Sequence, residues 1–174
     1  MFVHYSKSLY LVQMNKSYLL LGSNRGNSES ILKEACIELD RSAGKIIRRS
    51  AIYRTDAWGF EGRYFLNQAV LIQTNLSAIA LMDCCHLIEE KYGRERDATV
   101  RWTSRTLDID ILLFNDEIIK KDDLHIPHKK LQYRQFALTP LSEIGADEIH
   151  PLLGVCIHEL SKICEDTSKV ELLK

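Results

Sequence analysis

The chain has 174 residues, of which 45% are hydrophobic and 27% charged, and its formal net charge is −1 at pH 7. This length suffices for one buried core, and the composition excludes a disordered or collagen-like chain. Because no apolar run reaches the roughly 18 residues of a membrane span and there is no basic surplus, we expect neither a membrane nor a nucleic-acid partner.

The five cysteines are odd in number and include no CxxC pair. They therefore indicate a reducing compartment, the cytoplasm, rather than a disulfide framework or a zinc site. Residues 1–16 lack the sustained apolar stretch and cleavage site of a signal peptide. We interpret residues 1–13 as either an upstream-start extension or a disordered tail. Residues 14–174 are interpreted as a single domain, which we expect to be monomeric.

The sequence pattern in the first third of the domain predicts a strand and a helix. Residues 16–21, KSYLLL, read as a buried strand that ends at the loop Gly22-Ser23-Asn24. Helical spacing follows, with Asn27 or Ser28 as the cap and Gly44 as the end. The apolar face of this helix comprises Ile31, Leu32, Ala35, Cys36 and Leu39.

The middle of the chain predicts two strands and a second helix. Residues 45–53 and 65–74 read as strands, and the long loop between them indicates an antiparallel pair. Ser77 caps a helix that ends at Gly93. Its predicted apolar residues are Ile79, Met82, Leu87 and Ile88.

A strand at residues 106–114 completes the order βαββαβ. Its alternation puts Leu107, Ile109, Ile111 and Leu113 on one face. This order predicts an α+β, ferredoxin-like sandwich, in which an antiparallel sheet carries two helices on one face and leaves the other free for ligands. C-terminal additions follow: a short strand at residues 117–119, a helix at 133–144 interrupted near Pro140, and a short helix at 156–164.

The last strand carries two aspartates. Asp108 and Asp110 project from the same face, with Cα atoms about 6.6 Å apart. A bare pair of this kind is more often a solvated face, here balanced by Arg105. Residues 91–105, however, contain five cations and two acidic residues. Because carboxylate oxygens suit Mg²⁺ and guanidinium groups suit phosphate, the combination favours ATP with Mg²⁺.

These residues belong to a larger pattern. Residues 101–112, RWTSRTLDIDIL, resemble the signature of the 6-hydroxymethyl-7,8-dihydropterin pyrophosphokinase family, and the resemblance spans residues 16–160. Four further blocks agree in order: Gly22-Ser23-Asn24; Tyr53-Arg54-Thr55 with Phe65-Leu66-Asn67; Glu89 with Gly93-Arg94; and Pro127-His128 followed by Arg134 and Phe136. The family's ferredoxin-like fold agrees with the element order.

The resemblance implies transfer of pyrophosphate from ATP to 6-hydroxymethyl-7,8-dihydropterin in folate biosynthesis, with AMP as the other product. Asp108 and Asp110 would hold two Mg²⁺ ions, and Arg94 and Arg105 would stabilise the transferring oxygens. The resemblance assigns six residues to ATP: Glu89, Arg94, Trp102, Arg105, His128 and Arg134. It assigns five to the pterin: Thr55, Trp58, Phe65, Asn67 and Phe136.

The chain departs from the family pattern in its loops. Thr103-Ser104 replaces a frequent Gly-Pro, Asp56 stands where Pro is common, Phe65 where Tyr is common, and Lys129 where Tyr or Pro is familiar. No departure removes a metal ligand, but the loop conformations and the roles of Arg96 and Lys129 stay open. Two alternatives also stay open. One is an inactive nucleotide-binding relative, and the other is an RNA-recognition module of the same topology, although the two aspartates would repel the phosphates of RNA.

Overall fold

A computed structural model describes residues 14–56, 63–93 and 106–173. Its elements include the predicted βαββαβ series, with further short strands. They are β1 (Asn15–Ser23), α1 (Ser28–Ser42), β2 (Lys45–Arg49), β3 (Tyr53–Thr55), β4 (Phe65–Thr74), α2 (Ala78–Lys91), β5 (Asp108–Phe114), β6 (Ile119–Lys120), β7 (His125–Ile126), a 3-10 turn (Leu131–Tyr133), α3 (Gln135–Gly145), α4 (Ile157–Ile163) and β8 (Val170–Leu172). The prediction for residues 1–13 lies outside the described residues.

The main sheet is antiparallel and has the predicted topology. Its strands run β5-β1-β4-β3-β8, and β2 also pairs with β4. The predicted strand over residues 45–53 is divided into β2 and β3. At the break, the backbone amide of Ala69 donates to the Ser50 hydroxyl at 3.0 Å. The side-chain amide of Gln68 donates to the Ser50 carbonyl at 2.8 Å. Side-chain bonds at Ser50 thus take the place of part of the ladder, and β3 restarts beside the far end of β4.

Helices α1 and α2 pack on one face of the sheet, as predicted. Asn27 and Ser77 are their N-caps. The predicted face of α2 is only partly right, because Ile79 is 41% and Leu87 61% exposed. The buried positions of α2 are Ala78, Leu81, Cys85, Ile88 and Glu89. Apolar residues occur on more than one side of α2, so the sequence alone does not indicate which side of the helix contacts the sheet.

The second face of the sheet is not free along its whole length. Helices α3 and α4 cover it with a second core, in which Leu20 and Leu71 of the sheet pack near Leu138 and Leu141 of α3. Since apolar strand residues occur on both faces, this coverage removes them from water. The expectation of a free ligand face is therefore restricted to the end of the sheet where β1 ends and β5 begins.

An irregularity in β5 reverses its alternation. The β1–β5 register shifts between Tyr18 and Leu19, so that Leu112 has no partner of its own. An extra residue of this kind turns the following side chains to the opposite face. Leu113 therefore lies in the second core, whereas Ile109 and Ile111 lie in the first. The prediction that all four apolar residues share one face fails at Leu113.

The C-terminal additions match the predictions in place but not in detail. Helix α3 continues through Pro140, and the interruption lies instead at Arg134, whose backbone is extended between the 3-10 turn and α3. Strand β8, which the sequence pattern did not reveal, pairs with β3. Within the described residues, no helix has the length and apolar composition needed to cross a bilayer.

Candidate active site

Strand β5 presents both aspartates on the same side of the sheet. Asp110 is paired with Leu20 of β1, and Asp108 with Gly22. Both aspartates are half-buried, whereas Ile109 between them is buried in the core on the other side. The apolar alternation of β5 therefore fixes the direction of the two carboxylates, because a strand that buries Ile109 must turn its neighbours the other way.

The beginning of β5 is held by a buried carboxylate. Glu89 in the last turn of α2 is 1% exposed, and its Oε1 accepts a hydrogen bond of 2.7 Å from the Ile109 amide. In the described sheet β5 pairs with β1 alone, so this amide has no strand partner and would be costly to bury unbonded. Glu89 satisfies it at the residue between the two aspartates and so fixes their backbone.

A polar row crosses the sheet from Asp108. Gly22 separates Asp108 on β5 from Asn67 on β4, since it is paired with both. A Cβ at Gly22 would lie 3.4 Å from the Asn67 Oδ1 atom. The missing side chain leaves a gap between the carboxylate of Asp108 and the amide of Asn67. A substrate that reaches both groups can pass over Gly22.

Asn67 forms the centre of a second, uncharged group. It is 3% exposed, and its Nδ2 donates to the hydroxyl of the buried Thr55 at 3.0 Å. Thr55 on β3 is paired with the half-buried Phe65 on β4. The structure thus brings Thr55, Phe65 and Asn67 together. An amide, a hydroxyl and an aromatic ring in one place suit a flat heterocycle with polar edges.

The segment before α3 supplies cationic and aromatic groups. Arg134 has its Nη1 atom 3.9 Å from the Oδ2 atom of Asp110, and its Cζ atom lies 5.5 Å from the centre of the Phe136 ring. Arg134 and Phe136 are both half-buried. Arg134 therefore lies between the acidic pair and the aromatic ring, where it can contact a phosphate bound at the aspartates.

His128 is neutral at physiological pH. Burial, helped by the Arg134 charge, lowers the pKa of His128 to about 4, although Asp108 acts in the opposite direction. The backbone amide of Lys130 donates to its Nδ1 atom at 3.3 Å. The ring proton must then be on Nε2, because a neutral imidazole has one donor and one acceptor. His128 is thus a hydrogen-bond donor that adds no charge.

The oxygen donors of the site fit Mg²⁺. Over the described ranges, His, Cys, Asp and Glu side chains form no group of three or more that could hold a metal ion by themselves. Asp108 and Asp110 can supply part of an octahedral oxygen shell, and substrate phosphates and water would supply the rest. A site completed by the substrate suits Mg²⁺ better than zinc, which prefers sulfur and nitrogen ligands.

Four predicted site residues lie outside the described residues: Trp58, Arg94, Trp102 and Arg105. So do Arg96, Thr103 and Ser104 of the loop positions left open above. Two other positions that depart from the family pattern are described. Asp56 is exposed at the end of β3, and Lys129 is exposed beside His128. The charge of Lys129 helps to lower the pKa of His128. Gly22 belongs to the residues that carry the family resemblance, but the sequence alone indicates no role for it. Only the register of β1 between two strands shows that role.

Comparison with known proteins gives consistent matches. A family model described as 7,8-dihydro-6-hydroxymethylpterin-pyrophosphokinase (HPPK) matches residues 18–146. The chain is 43% identical over 132 residues to the 2-amino-4-hydroxy-6-hydroxymethyldihydropteridine pyrophosphokinase of Bacillus subtilis (strain 168), across 75% of this chain and 78% of that protein. It is 34% identical over 161 residues to the protein of the same name from Haemophilus influenzae, across 91% of this chain and 99% of that one.

The fold also matches solved structures. Wild-type Plasmodium falciparum HPPK-DHPS, crystallised with STZ-DHP, superimposes with a TM-score of 0.69 at 19% identity. The match covers 86% of this chain and 43% of the other, so this chain spans less than half the length of that solved protein. The likeness bears on the fold, and it confirms the predicted ferredoxin-like architecture.

Proposed function

The chain belongs to the 7,8-dihydro-6-hydroxymethylpterin-pyrophosphokinase family, and from that membership we propose which of its residues carry the reaction. It is a pyrophosphokinase of folate biosynthesis, which transfers pyrophosphate from ATP to 6-hydroxymethyl-7,8-dihydropterin. The observation that supports our assignment best is the row Asp108–Gly22–Asn67. It sets an acidic group that suits Mg²⁺ beside an uncharged group that suits a pterin, with a gap between them.

Asp108 and Asp110 would hold Mg²⁺ together with the ATP phosphates, and we propose two ions. When bound, the ions neutralise phosphate charge and align the triphosphate for attack on the β-phosphorus. Arg134 binds a phosphate oxygen from its place beside Asp110, and His128 donates from Nε2. We retain Arg94, Trp102 and Arg105 as ATP-site residues, with the two arginines stabilising the oxygens that are transferred.

The pterin binds on the other side of Gly22. Phe65 and Phe136 contact its two faces, and Asn67 and Thr55 form hydrogen bonds with its polar edge. This placement directs the hydroxymethyl oxygen toward the phosphates held beside Asp108. We retain Trp58, three residues after β3 in the sequence, as a further pterin-site residue. Orientation of the two substrates is the main contribution of these residues, since it makes the attack effectively unimolecular.

Glu89 takes part indirectly. Glu89 is 1% exposed, and its carboxylate accepts a hydrogen bond from the Ile109 amide of β5. These contacts favour a role in positioning β5, the strand that carries both aspartates, over direct contact with ATP. We therefore propose that Glu89 serves the ATP site by fixing Asp108 and Asp110. All these groups come from one chain, in keeping with a monomeric enzyme, and five free cysteines are in keeping with the cytoplasm.

The test is an assay of AMP formation. The purified protein should release AMP from ATP only when both Mg²⁺ and 6-hydroxymethyl-7,8-dihydropterin are present, and the pterin diphosphate should appear in equal amount. Nucleotide binding without AMP release would identify an inactive relative. AMP release that does not depend on the pterin would contradict the proposed acceptor.

A further inference from the structure

Helix α3 begins at a residue that cannot cap it. Arg134 occupies the N-cap position and makes no capping bond with its side chain. The first amides of a helix need acceptors, which Ser, Thr, Asp or Asn normally supply, and a cation at this end also opposes the helix dipole. The Arg134 side chain instead lies near Asp110. An acceptor for the start of α3 must come from elsewhere.

Asp166, near the C-terminus, supplies that acceptor. The amide of Gln135, the first residue of α3, donates to Asp166 Oδ2 at 2.8 Å. The other oxygen, Oδ1, accepts from the amide of Ser168 at 2.9 Å and from its hydroxyl. Burial alone would raise the pKa of Asp166, yet these hydrogen bonds hold it below its usual value. Asp166 is therefore ionised and fixed in direction.

The side chain of Gln135 is fixed as well. Its Nε2 donates to the hydroxyls of Thr139 in α3 and Ser161 in α4, at 3.1 Å each. Gln135 lies between Arg134, proposed for phosphate, and Phe136, proposed for the pterin. The backbone of this residue, held by Asp166, thus sets the starting points of both site side chains.

The same C-terminal segment also reaches the opposite wall of the pterin site. Four residues after Asp166, Val170 pairs with Thr55 on β3, and Leu172 pairs with Tyr53. The segment lies beyond residues 18–146, the part of the chain that the family model matches. It therefore contacts both α3, which carries Phe136, and β3, which carries Thr55.

We propose that Asp166 is a positioning residue for the pterin site. It holds the first turn of α3 so that Phe136 is in place before the substrate arrives, which lowers the cost of ordering this wall on binding. The inference rests on the proposed function, because it takes Phe136 as a pterin contact.

The test compares three full-length variants: Asp166→Ala, Asp166→Asn and Glu165→Ala. The dissociation constant of 6-hydroxymethyl-7,8-dihydropterin is measured with a nonhydrolysable ATP analogue and Mg²⁺ present. Loss of a cap should weaken pterin binding about fivefold in Asp166→Ala. Asp166→Asn, which retains one acceptor oxygen, should lose less. Glu165→Ala removes the same charge from the exposed neighbour and should bind normally.

Two further measurements separate positioning from general damage. Hydrogen exchange should become faster at the amides of residues 135–138 in Asp166→Ala, while exchange in β1 and β4 stays unchanged. In a Phe136→Ala background, Asp166→Ala should weaken pterin binding less than twofold, because the side chain it positions is gone.

Each outcome decides a different claim. Faster exchange in α3 with unchanged pterin affinity would overturn the inference, and so would an equal loss of affinity in both backgrounds. If Phe136→Ala by itself leaves pterin affinity unchanged, the proposed pterin site is wrong at Phe136. The exchange measurement would then still establish whether Asp166 holds α3, but its role toward the pterin would be refuted.

Discussion

Replacing Asn67 with alanine tests the pterin site most directly. The side chain is 3% exposed and donates to Thr55 at 3.0 Å, so Asn67→Ala removes one buried hydrogen bond and one proposed substrate contact. Leaving a buried polar partner of the ligand unbonded costs about 1 to 3 kcal/mol, which weakens pterin binding about 5- to 150-fold. Loss of the bond to Thr55 should lower the free energy of unfolding by about 1 kcal/mol.

Gln68→Ala is the matched control. Gln68 is the next residue of β4 and lies on the opposite face, where its amide donates to the Ser50 carbonyl at 2.8 Å. This variant removes the neutral bond to Ser50 and a weaker one that the Cys36 thiol donates to Gln68 Oε1 at 3.6 Å, so a loss of stability of similar size is expected. Pterin affinity should stay within about twofold of the unaltered protein, since no proposed substrate contact is lost.

The assay is equilibrium titration of both variants with the dihydropterin and, separately, with a nonhydrolysable ATP analogue and Mg²⁺. Asn67→Ala should bind the nucleotide almost normally. Comparable losses for the two ligands would refute the reasoning, because they would indicate a general disturbance of β4. The same conclusion would follow if Gln68→Ala weakened pterin binding as much as Asn67→Ala.

Three further outcomes are expected. Asp108→Asn and Asp110→Asn should each abolish Mg²⁺-dependent AMP release, because each removes a proposed metal ligand; near-normal turnover would exclude them as metal ligands. Gly22→Ala should fold normally, since its Cβ would meet Asn67 Oδ1 at an ordinary 3.4 Å, but should reduce kcat/KM roughly 10- to 100-fold by filling the gap; unchanged kinetics would show that substrates do not use the gap. Burial lowers the pKa of His150 in the folded protein, so the stability linked to this residue is present above its unfolded pKa of about 6.5 and is lost as pH falls toward the folded pKa. Thermal unfolding of His150→Gln between about pH 7 and pH 5 should therefore show a smaller drop in melting temperature than the unaltered protein, and an equal drop would assign the pH dependence to other groups.

Local sequence patterns predicted those parts of the fold that local interactions determine. Asn27 and Ser77 cap their helices through bonds to the amides of Ser30 and Ala80, three residues away, and such caps can be recognised from spacing alone. The directions of Asp108 and Asp110 follow from the alternation of β5. These features need no knowledge of which strands are neighbours.

Features that depend on distant partners could not be predicted in the same way. The bulge that turns Leu113 to the second core arises from the register between β1 and β5. The role of Gly22 depends on its being paired with both Asp108 and Asn67. Asp166 caps a helix that begins 31 residues before it. In each case the deciding contact joins residues far apart in sequence, so no short window contains the signal.

The pairing of β8 with β3 has a consequence for how the enzyme is made. Arg54 of β3 forms an ion pair with Glu171 of β8, 117 residues later in the chain. Contacts between such distant residues form late in folding, because a long loop must close before they contribute. During synthesis the outer edge of β3 has no β8 to pair with until residues 170–172 have left the ribosome. The edge beside Thr55 should therefore mature later than the β1–β4 and β2–β4 pairings, and a nascent chain that lacks β8 would expose that edge to pairing with other chains.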